Sequence, residues 1–385
     1  MLPLVIWWSE FRRLFFFHDW TLLQGAASQP LSAWLFQPFL GEGILPLYKL
    51  SWIAAVAATR GSYATVIVLL WLTHAATAVL FGDLLRRIGY SSMAIAAAVI
   101  TFGLPWTNLE TLGWAMQWSA VLSILFLLMA WHLLLATQWG QRYEVWFVLS
   151  VMASTFVSTR GILSGMVLAV FVILQRGKYI ARLCLLSLLP AAASFAATYA
   201  GGQHGGANIT RALNYAAHDF LLNPFYLLVS YPGRTIGPLA LLLFGALKIA
   251  VIVFALRIAS APARTLMLTF LAFDLCSAVG LGYARAYTGL ATSVSSRYQY
   301  ASLLCLAPAL GLLLGQCKKQ IAVVVLAAWI GLIAFPWATH LGRWSSERGT
   351  AVRAAIGNGP PDGHFDPSPL TVAEARKLIE RYRLH

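Results

Sequence analysis

Apolar residues in this chain come in long continuous runs rather than in alternation. Ten runs stand out, at 62–84, 90–106, 113–136, 145–159, 161–175, 183–200, 236–256, 265–283, 298–315 and 320–337. Unpaired backbone groups cannot face lipid, so continuous apolarity of this kind predicts helices that cross a bilayer, each needing about 20 residues. Several runs are shorter than that, and their limits are expected to shift by a few residues. The predicted fold class is an all-α polytopic membrane protein with about ten transmembrane helices and interfacial helices in its first external loop. Three regions follow: an amphipathic first loop over 1–61, a helical membrane domain over 62–337, and a short external tail over 338–385.

The polar residues between the runs set the orientation. Arg86, Arg87, Arg142, Arg176, Lys178, Arg182, Arg257, Arg264, Lys318 and Lys319 all fall in loops of one side, with only Asp83 and Glu144 as acids. Basic short loops face the cytoplasm. The opposite side, the periplasm or exterior, then receives 1–61, 107–112, 201–235, 284–297 and the tail. Trp7, Trp8, Trp20 and Trp34 suit headgroup depth in the first loop. Glu10, Arg12 and Arg13 would be costly at mid-bilayer and interrupt any signal-type apolar stretch, so no cleavable leader is read there and a helix preceding the given chain is expected. In the tail, Thr371-Val-Ala-Glu374 reads as a capping box opening a basic helix to Arg383, packed on the outer loops.

Composition removes whole classes of function. The chain is 59% hydrophobic and 10% charged, against about 45–50% and about 25% in soluble domains. Soluble enzymes and nucleic-acid-binding domains are excluded, and the net charge of +14 is read as Lys and Arg meeting anionic headgroups. Cys184, Cys276, Cys305 and Cys317 form no C-x-x-C pair and are read as small hydrophobes. There is no P-loop, no dinucleotide fingerprint, no H-E-x-x-H and no G-x-S-x-G. Cytoplasmic loops this short cannot form a nucleotide-binding domain, so any group donor arrives in the membrane or from outside.

Candidate chemistry gathers on the external side. Asp19, in Phe17-His18-Asp19-Trp20, is an acid among aromatics, where ionisation costs more; such a group serves either as a general base or as a helix cap. Glu42, Pro46 and Lys49 follow some twenty residues later. Glu110, Trp114 and Gln117 combine indole faces with polar side chains, which suits either sugar binding or an aromatic belt with a solvated Glu; Glu110 and Gln117 share a face if one helix runs through both. Arg160, Arg285 and Arg297 have no acid within their own loops, and a lipid phosphate or pyrophosphate would satisfy them, as would ordinary headgroups. Asp274 lies inside an apolar run, either functional or hydrogen-bonded to a neighbouring helix. His74 and His132 are expected to be packed core residues. Asn208-Ile-Thr210 fits a glycosylation triplet.

Four stretches, in this order, resemble the GT-C superfamily of integral-membrane glycosyltransferases: Phe15-Phe-Phe-His18-Asp19-Trp20; Gly41-Glu-Gly-Ile-Leu-Pro46-Leu-Tyr48-Lys49; Pro105-Trp-Thr-Asn-Leu-Glu110-Thr-Leu-Gly-Trp114; and Ser296-Arg297-Tyr298. The likeness extends from about residue 14 to residue 300, mainly as order and topology. It implies a polyprenyl-phosphate-linked monosaccharide as donor and a hydroxyl of a glycan, lipid or protein as acceptor. It implies Asp19 as general base, Arg160, Arg285 or Arg297 on the departing lipid phosphate, and His18, Glu42, Lys49, Glu110, Gln117, Trp114 and Tyr298 around the substrates. Inversion at the anomeric carbon and a multi-pass location in a bacterial inner membrane, with the site on the periplasmic face, follow from the same likeness. His18 stands where many members carry a second acid, so a divalent metal is left open and no metal ligand is assigned; Glu42 stands where a His is common. Two other readings are weighed. A lipid-linked polysaccharide ligase or polymerase would use His204, Arg211, His218, Asp219 and Arg234 of the 201–235 loop. A lipid or sugar transporter would centre on Asp274, although no inverted repeat is visible.

Overall fold

The computed structural model describes residues 15, 18–39, 43–104, 106–135, 141–175, 180–200, 208–229, 236–334, 338–365 and 370–385. Among the described residues there is no β-strand, only two isolated bridges, Phe39 to Gly43 and His364 to Thr371. Three short helices come first: α1 (His18–Ser28), α2 (Leu31–Phe36) and α3 (Pro46–Ala58). The bundle follows: α4 (Tyr63–Arg87), α5 (Ser92–Gly103), α6 (Leu109–Gly113), α7 (Trp118–Leu134), α8 (Gln141–Val157), α9 (Gly161–Gln175), α10 (Ile180–Ala200), α11 (Ile209–Leu222), α12 (Phe225–Val229), α13 (Pro238–Ile258), α14 (Ala261–Arg285), α15 (Gln299–Gly315) and α16 (Lys319–Ala334). The tail holds α17 (Ala338–Asn358) and α18 (Val372–Tyr382).

Each of the ten apolar runs contains an α-helix among its described residues. Among the described residues, five stretches are long and apolar enough to cross a membrane: Tyr63–Arg87, Ala115–Leu134, Pro238–Ile258, Ala261–Thr288 and Ser296–Gly315. The chain is therefore a helical protein with several membrane-spanning candidates. Ser296–Gly315 has 72% of its apolar window buried and occupies the centre, whereas Pro238–Ile258 has 22% and lies at the rim. The rim helix turns Leu239, Leu242, Leu243, Leu247 and Phe254 outward, the behaviour of a helix whose solvent is lipid.

Small residues set the close approach of the central pair. A Cβ on Gly311 of α15 would lie 2.4 Å from the Ala94 carbonyl oxygen and 2.8 Å from the Ala98 Cβ of α5. The backbones can meet only because that position is glycine, the small-residue packing typical of membrane helices. Buried polar groups lock other helices. His74 of α4 meets the Gly103 carbonyl oxygen at 3.0 Å through Nε2 and the Tyr300 hydroxyl at 2.8 Å through Nδ1. A carbonyl only accepts, so Nε2 carries the proton and Tyr300 donates to Nδ1. Ser154 of α8 bonds Ser123 of α7 at 3.1 Å and Ser164 of α9 at 2.9 Å. His74 and His132, the latter on the Leu80 carbonyl oxygen, are packed, hydrogen-bonded residues.

Three differences from the expected layout matter. The 201–235 segment is not only a surface loop. Its α11 packs along α14 and α13, with Gly282 against Ala212 and Gly245 against Leu221, and reaches the level of Lys248, halfway along α13. The reason is amphipathic: Ala212, Tyr215, Ala216, Asp219 and Leu222 recur every three or four residues and form one buried face. No helix runs through Glu110 and Gln117, because α6 stops at Gly113 and Trp114 is extended (φ −124°, ψ 118°) before a 3₁₀ turn at Ala115–Gln117. The tail holds two helices where one was expected, and its capping box forms between Thr371 and Glu374. Asn208, read as part of a glycosylation triplet, caps α11 by accepting from the Arg211 amide at 3.2 Å.

Candidate functional site

The starts of α4, α7 and α15, the end of α14 and the α8–α9 turn meet α1 at one end of the bundle. A small set of bonds joins them. Ser296 is the hinge pin: its Oγ donates to the Thr107 carbonyl oxygen at 2.6 Å and accepts from the Glu110 amide at 3.1 Å. The Glu110 carboxylate then grips the same turn. Oε2 accepts from Ser295 Oγ at 2.9 Å and the Arg297 amide at 3.3 Å, while Oε1 faces Arg297 Nη1 at 3.4 Å. Glu110 thus fixes Ser296-Arg297-Tyr298, about 185 residues away in sequence, and its carboxylate is occupied in doing so.

Tyr298 shares its ring between two guanidiniums, Arg297 at 5.1 Å and Arg160 at 5.5 Å from the ring centroid. Such cation–π contacts hold cations without neutralising them. Arg160 comes from the tight Ser158–Gly161 turn, where the Gly161 amide donates to the Ser158 carbonyl oxygen at 2.8 Å. A Cβ on Gly161 would fall 1.7 Å from the Ser154 carbonyl oxygen, so glycine is what lets α9 start against α8. The charge acting most strongly on Arg160 is Asp219 of α11, buried, its Oδ1 accepting from the Asn223 side-chain Nδ2 at 2.7 Å. Tyr215, one turn earlier, bonds Thr292 at 3.1 Å.

His18 begins α1 and lies parallel to Trp114, with ring centroids 6.2 Å apart and planes 17° from each other. Burial, then the charges of Arg285 and Arg297, hold its pKa down at about 4, so the imidazole is neutral at pH 7. Asp19 lies in the first turn of α1, where its charge complements the helix dipole, and is wholly buried. Its charge adds to burial in holding the Tyr48 phenol well above its usual range; the Tyr48 hydroxyl donates to the Met116 carbonyl oxygen at 2.9 Å.

The predicted residues divide accordingly. His18, Trp114, Glu110, Arg160, Arg285, Arg297 and Tyr298 converge, and Asp19, the residue after His18, is buried. Gln117, half-buried, sits in the turn after Trp114, to whose carbonyl oxygen its amide donates at 2.9 Å. Lys49 does not join them: its ammonium is buried against the carbonyl oxygens of Trp34 and Gln37, where it finishes α2, and burial lowers its pKa to about 8. Glu42, His204 and Arg234 lie outside the described residues. Of the remaining loop candidates, Arg211 is exposed and His218 is buried with Nδ1 on the Asn214 carbonyl oxygen at 2.8 Å.

Sequence reasoning missed Lys248. It lies in the middle of α13 and donates three bonds, to Asp274 Oδ2 at 2.7 Å, Ser302 Oγ at 2.8 Å and the Phe220 carbonyl oxygen at 2.6 Å. Asp274 is thus hydrogen-bonded to two neighbouring helices and paired with a cation. One lysine inside an apolar run, at the depth of an aspartate in the next antiparallel run, was the available signal. Among the described residues no group of three or more His, Cys, Asp or Glu is disposed to hold a metal ion. No protein-family model, no curated protein and no solved structure matches the chain.

Proposed function

We propose that the protein is a membrane glycosyltransferase of the GT-C type. It moves a monosaccharide from a polyprenyl-phosphate donor to a hydroxyl acceptor at the end of the bundle where α1 sits. That end is the periplasmic face of a bacterial inner membrane in this reading, since Arg86, Arg87, Arg182, Arg257 and Arg264 lie at helix ends on the opposite side. One observation carries the proposal: residues of three of the four resembling stretches, spread from His18 to Tyr298, gather around Arg160, Arg285 and Arg297.

The chemistry needs positioning, positive charge and a base. The acceptor oxygen attacks the anomeric carbon from the face opposite the phosphate. The carbon–oxygen bond to phosphate breaks, the new glycosidic bond forms, and the hydroxyl proton passes to Asp19. The departing phosphate gains a negative charge, which the guanidiniums stabilise. His18, with a pKa of about 4, is a weak base and serves as a neutral wall. Asp19 is covered in this state, so the reading requires the acceptor to displace its cover.

The test is release of polyprenyl phosphate from a panel of polyprenyl-phosphate monosaccharides, offered with candidate acceptors to the protein in nanodiscs. Wild type is expected to release it, and Asp19→Asn and Arg160→Gln at equal protein level are not. Unimpaired turnover by Asp19→Asn would remove Asp19 from the chemistry. Loss on Asp219→Asn alone would favour the ligase or polymerase reading, which the placement of Asp219 in the field of Arg160 supports.

A further inference from the structure

The tail is tied to the first-loop helices at four places. The Arg381 guanidinium donates to the Ala27 carbonyl oxygen at 2.8 Å, at the C-terminal end of α1, where a cation suits the helix dipole. Gln24 reaches Glu374 at 3.5 Å. Phe365 meets the wholly buried Trp20 ring edge-on at 5.6 Å. At the corner between α3 and α4, His385 forms a two-bond pair: its amide donates to the Gly61 carbonyl oxygen at 3.1 Å and its carbonyl oxygen accepts from Tyr63 at 3.2 Å.

The backbone is shaped for this docking. Arg60 (φ 53°) and Arg383 (φ 52°) both adopt the left-handed conformation that side chains disfavour, and Gly61 has φ +78°. A Cβ on Gly61 would lie 2.5 Å from the carbonyl oxygens of both Tyr382 and Arg383. Phe365, Leu370, Val372, Ala375, Leu378 and Leu384 are buried in the same core as Trp20 and Tyr63.

These contacts close a ring. The tail holds Tyr63; the Tyr63 hydroxyl donates to the Gly113 carbonyl oxygen at 3.0 Å; the next residue, Trp114, stacks on His18; and His18 begins α1, whose far end the tail holds again. We propose that Phe365 together with residues 370–385 forms a positioning strap that fixes α1, and with it His18 and Asp19, against the α4 and α6 corner. The strap acts on placement of the site residues and not on the fold of the bundle, and it holds whichever reaction the site performs.

Hydrogen exchange read by mass spectrometry, on protein in nanodiscs, tests this. The variants are Gly61→Val in the full chain, and a chain ended after Leu370. Exchange over 18–28 is expected to rise roughly tenfold or more in both, as a local opening, with α4 and α15 unchanged. The His18 titration, followed by NMR of histidine-labelled protein, is expected to move from about 4 toward 6.5 as the imidazole loses its burial and leaves the two arginines. Wild-type protection of 18–28 in the shortened chain, with His18 still near 4, would overturn the strap. Faster exchange throughout α4 and α15 would overturn it equally, by making the tail part of the global core.

Discussion

Lys248→Met leaves Asp274 as a charge in the middle of the bundle with only Ser302 to bond it. In the intact protein the ammonium is fully used: three donors, three acceptors within 2.8 Å, and no exposed side-chain surface. Hydrogen bonds to charged groups are worth about 1.5–3 kcal/mol each. Their sum overstates the effect, since removing the lysine also removes the cost of burying it. Breaking one side of a buried pair costs about 3–5 kcal/mol, and that is the expected loss for Lys248→Met or Asp274→Leu alone. The double variant carries neither charge and is expected within about 2 kcal/mol of wild type, because well-packed apolar replacements of buried pairs are near neutral. The cycle should therefore show a coupling of at least about 4 kcal/mol. Reversible unfolding in mixed micelles measures all four corners. Additivity of the two single losses, within about 0.5 kcal/mol, would refute the claim that these residues act as one unit. The pair also receives the Phe220 carbonyl oxygen, so the Lys248 variant should loosen the end of α11 and raise exchange over 209–222 before that of α13.

The remaining predictions concern pH and packing. His18 titrates at about 4 in the folded chain and near 6.5 unfolded, so between these values only the unfolded state takes the proton; stability falls as pH drops through this window, and this one group's loss is complete near pH 4. The gap is worth about 3 kcal/mol undiscounted and about 1–2 kcal/mol after screening at a half-buried site; His18→Gln should flatten the pH dependence of unfolding between pH 6.5 and 4 by that amount. Gly311→Val would drive its side chain into the Ala94 carbonyl oxygen, and about 1–3 kcal/mol of destabilisation by overpacking is expected in the same unfolding assay.

What was legible in the sequence follows from what a bilayer demands of it. Apolar runs show directly, since a helix facing lipid has nothing to hide, and all ten correspond to helices. Isolated polar residues show as well, because each is expensive: Arg160, Arg297, Asp274 and Glu110 stand out by contrast with their neighbours. What does not show is the partner. Glu110 reads as a sugar-binding acid until Ser295 and Arg297 arrive from about 185 residues away to occupy it. Lys49 reads as a ligand until the carbonyl oxygens of Trp34 and Gln37, at the end of α2, claim it. The α11 helix was hidden for a different reason. Its polar residues gave it a loop-like composition, and only the spacing of Ala212, Tyr215, Ala216, Asp219 and Leu222 marked a face that could enter the bundle.

The partners also decide which cation is free to take an anion. Arg297 is compensated by the Glu110 carboxylate, whereas Arg160 makes no ion pair among the described residues and meets carboxylates only through the longer-range field of Asp219 and Asp274. Tyr298 orients both guanidiniums and neutralises neither. Under the glycosyltransferase proposal, an arriving lipid phosphate should therefore gain most from Arg160, with Arg297 serving first to shape the turn. Removing Arg297 alone would expose the Glu110 charge and repel the anion, so the fair comparison is the paired variant Arg297→Gln with Glu110→Gln. Arg160→Gln is expected to weaken polyprenyl-phosphate binding by tenfold or more, since a charge-assisted bond is worth about 1.5–3 kcal/mol. The paired variant should weaken it less. The reverse order, measured by titration calorimetry in nanodiscs, would mean that the Glu110 latch opens when the anion binds and that Arg297 is the principal contact.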